Sequence, residues 1–143
     1  MRKNFRKGHY LISTDKKKLD IKVIYGFLSN SYWAKNRSLK ITKISLKNSL
    51  CFGLYHKSRQ IGFARVITDY ATYAYLADVF ILEEHRGRGL SKWLMEVILN
   101  YGGIQNLRRW FLATKDAHKL YEKFGFTSLK EPEKLMEIFR KDL

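Results

Sequence analysis

The chain has 143 residues, 45% of them hydrophobic and 15% aromatic, which suits one domain spanning 1–143 and excludes global disorder. Its net charge is +15, and residues 1–47 hold 13 Lys and Arg against two Asp, so the positive excess sits mainly in the N-terminal third. Such a surface attracts nucleic acid, anionic membrane or an anionic small molecule. No apolar run approaches the roughly 18 residues of a membrane span. The basic start "MRKNFRKGHY" has no apolar stretch behind it, so no secretory signal is expected. The single cysteine, Cys51, has no intramolecular partner and reads as a small buried hydrophobe. The expected compartment is cytoplasmic and reducing.

In chain order, "HYLISTD" has the composition of a strand closed by a turn-former. In "KKLDIKVIYGFLSNSYWA", Ile21, Ile24, Leu28 and Trp33 fall near helical spacing, and Asp20 can cap the start. "LKITKISLKNS" reads as a second short helix with Leu39, Ile44 and Leu46 as its apolar candidates, although Ile41 and Thr42 favour strand. "LCFGLYHKSRQIGFARVITD" reads as a hairpin turning at "HKSRQ", and "TYAYLADVFIL" follows as the next strand. Leu90, Trp93, Leu94, Val97 and Ile98 form the clearest helical stripe, closed by "YGG". "RRWFLAT" reads as a short buried strand. "DAHKLYEKF" reads as a helix capped by Asp116 and ended by Gly125, and "KLMEIFR" as a last strand. No internal repeat or linker separates a second domain. The order implies a mixed sheet with helices on both faces.

The stretch "VFILEEHRGRGLSKWL" joins a strand to a helix through two glycines and two arginines. A helix start carries unpaired N–H groups and partial positive charge, and glycine lets a ligand approach the backbone. Together they suit a phosphate or pyrophosphate, with Arg86 and Arg88 adding charge at the rim. The spacing is not that of a P-loop. It is not a dinucleotide fingerprint either, because Lys92 stands at the third glycine position.

Arg86-x-x-Gly89-x-Ser91 resembles the [Q/R]-x-x-G-x-[G/A] coenzyme A loop of the GNAT family of N-acetyltransferases. "AHKLYEKFGF" resembles that family's A-x-x-L-Y-x-x-x-G-F segment at Ala117, Leu120, Tyr121, Gly125 and Phe126. The two motifs lie on the elements that the family uses, and the resemblance covers nearly the whole chain. Ser91 replaces the usual Gly or Ala, and Thr114 stands where the family often has Asn.

The resemblance implies a mixed, mostly antiparallel α/β (α+β) sheet flanked by helices on both faces. It also implies transfer of an acetyl group from acetyl-CoA to a primary amine. The backbone around Gly87, Arg88, Gly89, Leu90 and Ser91 would hold the pyrophosphate, with Arg86 and Thr114 also on the cofactor side. The pantetheine amides would lie along Phe80, Ile81 and Leu82, where family members splay two strands apart. Tyr121 would be the general acid that protonates the leaving thiolate.

Asp78 is anomalous in an apolar strand. It is read either as the group that assists proton removal from the amine or as the partner of a basic residue such as Arg65. Asp69 and Glu83 are weaker candidates for the base. Tyr32 and Trp33 would wall an acceptor pocket, and Arg37 would hold a carboxylate or phosphate. His85 and His118 lack metal-ligand spacing, so no metal is expected. The positive charge argues against a polycationic acceptor and fits a small neutral or anionic amine. Two other readings stand beside this one. They are a non-catalytic CoA-binding sensor, and a nucleic-acid-binding module using the basic third with Tyr10, Tyr25 and Trp33. The assembly is expected to be a monomer or homodimer.

Overall fold

The computed structural model describes residues 3–143. They form two compact units, divided between Ala113 and Thr114.

The first unit holds one six-stranded sheet in the order β1 (Asn4–Lys7), β2 (Tyr10–Ser13), β3 (Leu50–His56), β4 (Arg59–Thr68), β5 (Tyr73–Ile81), β6 (Arg109–Leu112). Every neighbouring pair is antiparallel except β5–β6, which is parallel. The fold is thus the mixed, mostly antiparallel α/β sheet expected from the sequence. Lys57 and Ser58 make the β3–β4 turn with φ of +50° and +70°, the left-handed pair that matches strand twist in a two-residue hairpin.

Successive side chains on a strand face opposite ways. Cys51 packs with Ile24 and Leu28 of α1 (Ile21–Leu28), Leu46 of α2 (Leu39–Lys47), Phe63 and Phe80. Its neighbour Phe52 points to the other face and meets Tyr101, just after α3 (Leu90–Leu99), edge-on at 5.3 Å. Helices therefore cover both faces. Cys51 is buried, and its burial pushes the thiol pKa up to about 11, so it is an inert core residue.

Several expected elements differ. An N-terminal strand, β1, precedes the expected first one, and Gly8 at φ +59° makes the turn between them. The helix capped by Asp20 stops at Leu28. The Ser29 hydroxyl and Asn30 amide both donate to the Gly26 carbonyl, so polar side chains close the helix and Trp33 falls in the following turns.

In α2 only Leu46 of the apolar candidates is buried, while Leu39 and Ile44 are exposed and Thr42 takes the inner position. On α3, Met95 is buried and Trp93 only half so. β6 is half-buried rather than buried. In the second unit the helix is α4 (His118–Glu122), and Asp116 does not cap it. Instead the Ala117 N–H donates to the Thr114 hydroxyl at 3.0 Å. The expected last strand is not formed: residues 135–140 have no strand pairing, and Met136 is 97% and Ile138 81% exposed.

Candidate active site

Two features of β5 build the site. The first is an added residue. Phe63 of β4 pairs with Phe80, but Arg65 pairs with Ala77, so Asp78 and Val79 together oppose Ala64. This is a β-bulge, and Asp78 takes a left-handed φ of +54° within it. The second is an uncovered edge. β6 pairs with β5 only from Tyr73 to Leu76, while β5 runs on to Ile81. From Ala77 onward no strand pairs with that side of β5 among the described residues, which leaves backbone amides open to a ligand.

The bulge turns the Asp78 carboxylate into a cluster of donors. Oδ1 accepts from Trp33 Nε1 at 2.9 Å, and Oδ2 accepts from Arg37 Nη1 and Arg65 Nε, both at 2.8 Å. Arg65 also donates to the Ser49 hydroxyl at 3.1 Å. The ion pair with Arg65 is thus present, extended by a second arginine. Burial alone would raise the Asp78 carboxyl, but the Arg37 hydrogen bond and the Arg65 charge outweigh it, and its pKa lies below the ordinary carboxylate value. Asp78 is 4% exposed and the Arg65 residue 8%, whereas the Arg37 side chain stays 21% exposed at the edge of the cluster.

Of the expected acceptor residues, Trp33 and Arg37 therefore come together on Asp78, and Tyr32 joins them only through the Trp33 ring. Tyr32 lies edge-on to Trp33 at 5.1 Å, Trp33 is 6.3 Å from Phe27, and Phe27 stacks on Phe80 at 4.1 Å. Next to this aromatic run, Lys22, Val23, Gly26, Phe27, Asn30 and Leu82 line a pocket of about 390 Å³. Asp69 is not part of the site. Its carboxylate accepts from the Thr72 hydroxyl and from backbone N–H groups of residues 71–73, which pulls its pKa down and commits it to its own turn.

Beyond β5, Glu83–His85 form one 3-10 turn and the glycine segment follows. Gly87 and Gly89 have φ of +80° and +74°, and a Cβ on either would meet nothing within 4 Å. Their glycines are thus required by backbone conformation, not by crowding. Gly89 is the N-cap of α3, and no side chain accepts from the first turn of that helix. The N–H groups at the start of α3 lie beside open space, a cradle suited to an anion. The Leu90 side chain is core, so only its backbone serves the cradle. Arg86 folds back, its Nε donating to the Ile81 carbonyl at 2.9 Å, and so ties the turn to the strand end. Arg88 reaches the Tyr10 hydroxyl at 3.3 Å, a contact the sequence reading missed because Tyr10 lies on another strand.

In the second unit, Tyr121 is buried on α4 with its ring edge-on to Phe126 at 5.9 Å. Gly125, at φ +94°, follows that helix.

The domain described as Acetyltransferase (GNAT) domain matches residues 47–128. The chain belongs to the GNAT family of acetyltransferases. A GNAT-family protein of Xanthomonas campestris pv. campestris, provisionally named an acetyltransferase, has a crystal structure 49% identical to this chain. It superposes with a TM-score of 0.91 over 94% of this chain and 96% of its own. A Gibberella zeae protein provisionally named acetyltransferase FG08082 is 36% identical over 142 positions, covering 84% of this chain and 80% of that one. The ycf52 protein of Pyropia yezoensis, described as an uncharacterized N-acetyltransferase, is 34% identical over 118 positions, and this chain spans 63% of its length. A GNAT acetyltransferase of Elizabethkingia anophelis, solved with acetyl-CoA bound, shares the fold at a TM-score of 0.66 and 14% identity, over 96% of this chain and 92% of its own.

Among the described residues, no helix is long and apolar enough to cross a membrane. No group of three or more His, Cys, Asp or Glu among them is placed to hold a metal ion.

Proposed function

We propose that this GNAT acetyltransferase takes acetyl-CoA as cosubstrate and acetylates a primary amine on a small neutral or anionic acceptor. The observation that carries this reading is the uncapped start of α3 behind two left-handed glycines, next to the unpaired edge of β5. The N–H groups of residues 87–91 would hold the pyrophosphate, Arg88 would add charge, and Arg86 would hold the turn in place through Ile81. The open backbone of Phe80, Ile81 and Leu82 would pair with the pantetheine amides. Acetyl-CoA supplies the activated acetyl thioester. The family match runs across both compact units, which supports one acetyltransferase domain over 1–143.

Tyr121 is the general acid that returns a proton to the sulfur as the thioester breaks. Its place in the A-x-x-L-Y-x-x-x-G-F segment supports that role. Thr114 contributes on the cofactor side only through the turn it builds with Ala117.

Asp78 serves the acceptor side. A carboxylate held by two guanidiniums and an indole is a weak base, so its main work is to fix Trp33 and Arg37. The amine then loses its proton to water, and orientation carries much of the rate. One carboxylate against two arginines leaves the cluster net positive, and Arg37 keeps donors free for an acceptor carboxylate or phosphate. The buried cysteine suits a cytoplasmic setting.

The deciding experiment is the shift in melting temperature on adding acetyl-CoA, CoA, NAD or a short RNA separately, followed by an amine panel with thiol detection. Stabilisation by acetyl-CoA and CoA alone, with turnover of an anionic amine, is expected. Tyr121→Phe should then lower kcat by about a hundredfold or more. No stabilisation by saturating acetyl-CoA would overturn the assignment. Tight binding without turnover of any amine would favour a non-catalytic CoA sensor, and stabilisation by RNA alone a nucleic-acid module.

A further inference from the structure

The N-terminal hairpin has no part in the reading above, yet its Tyr10 reaches the phosphate turn. We propose that Tyr10 is a positioning residue for that turn, holding Arg88 through a directed hydrogen-bond chain that ends on His85. The inference rests on the assignment of the glycine turn to the CoA pyrophosphate.

Arg88 Nη1 donates to the Tyr10 hydroxyl at 3.3 Å, and that hydroxyl lies 3.1 Å from His85 Nδ1. A guanidinium can only donate, so the Tyr10 oxygen accepts from it. The hydroxyl proton then points to His85 Nδ1 in the tautomer that leaves that nitrogen as acceptor. Each bond polarises the next, and the chain joins two residues of the turn to a strand 75 positions away in sequence. The neighbourhood is built from rings. Tyr10 pairs with His56 across β2 and β3 with ring centroids 4.8 Å apart, and His56 lies 5.1 Å from His85. His9 meets His56 edge-on at 6.5 Å.

Arg88 and Lys57 stand beside these rings, and Glu84 of the same turn pairs with Arg59. A guanidinium already held by the Tyr10 hydroxyl loses less side-chain freedom when an anion arrives at the glycine turn, so this bond contributes to CoA affinity rather than to the fold.

The test is calorimetric titration of CoA on wild type, Tyr10→Phe and His85→Ala. Tyr10→Phe keeps the ring and loses the hydroxyl. It should weaken CoA about fivefold, raise KM for acetyl-CoA more than it lowers kcat, and keep the melting temperature of the unliganded protein. His85→Ala removes the acceptor at the end of the chain and should weaken CoA in the same direction by a smaller factor. Wild-type affinity in Tyr10→Phe would overturn the positioning role, and wild-type affinity in His85→Ala would overturn the chain. Absence of CoA binding to wild type is a different result: it would remove the cofactor assignment itself, and this inference with it.

Discussion

The backbone turns left-handed at Asp78 and again at Gly87 and Gly89, and the protein treats the two places in opposite ways. At Asp78 a residue that dislikes this conformation is held in it, buried, by three side-chain donors. At the glycines the conformation carries little strain, and the space around them is empty. The first place is closed by the protein's own side chains, while the second has none of them against it. The helix starts repeat the contrast. Asp20 accepts from the N–H groups of Lys22 and Val23 at α1, and Ser38 accepts from Ile41 at α2, but α3 begins on a glycine with no side-chain acceptor.

The largest expected effect comes from opening the closed place. Asp78→Ala leaves the Arg65 charge buried without a carboxylate and should cost about 3–5 kcal/mol of stability, read by urea unfolding. A loss under 1 kcal/mol would mean that solvent already screens the cluster. The reciprocal change closes the open place. Gly89→Glu sets a carboxylate and a strained backbone where an anion should bind, and should weaken acetyl-CoA about a hundredfold in calorimetric titration. Its unfolding midpoint should move far less than that of Asp78→Ala. If CoA still bound normally, the anion cradle would lie elsewhere.

Acid sharpens the same contrast. The Asp78 pKa is lowered in the folded state, so its contribution is complete above the unfolded value near about 4. It is lost as pH falls through the lower folded value. Wild type should lose stability on that descent, and Asp78→Asn should show a shallower slope in the same titration. The smallest effect is the control: Asp20→Ala removes a cap that only serves α1 and should cost about 1 kcal/mol. CoA affinity should stay as in wild type.

These contrasts explain what could be read without the structure. The α3 stripe, the β3–β4 hairpin and the glycine turn are local patterns, in which a few neighbouring residues decide the outcome. The same holds for Asp20 at the start of α1. The end of α1 was not legible from apolar spacing, because Ser29 and Asn30 compete for the Gly26 carbonyl and displace Trp33 from the helix. β1 was hidden in a run of positive charge, where only Gly8 signals its turn. The segment 135–140 has strand-like residues, but a strand forms only where a neighbour supplies hydrogen bonds, and among the described residues the segment joins no sheet. At the site, the anomaly of Asp78 among apolar residues was visible, with Arg65 as its counterpart. Arg37 and Trp33 as further partners needed the fold, since they arrive from sequence separations of 41 and 45.

The bulge at Asp78 also resets the alternation of β5. Arg65 and Phe63 share a face, and they pair with Ala77 and Phe80, whose parities differ. Upstream of the bulge the odd-numbered residues of β5 look toward α1 and α2; downstream the even-numbered ones do. Loss of any one residue between Ala77 and Phe80 would not simply shorten the strand. With the register to β4 kept on both sides, it would flatten the bulge and erase the extra residue that carries the carboxylate. Phe80 would then stand two places after Ala77, on the same face, and keep its ring toward Phe27. A point substitution at Asp78 weakens one cluster, whereas a frame-preserving deletion of a single codon there would remove the bulge itself and leave the inside and outside of the strand that leads into the glycine turn unchanged.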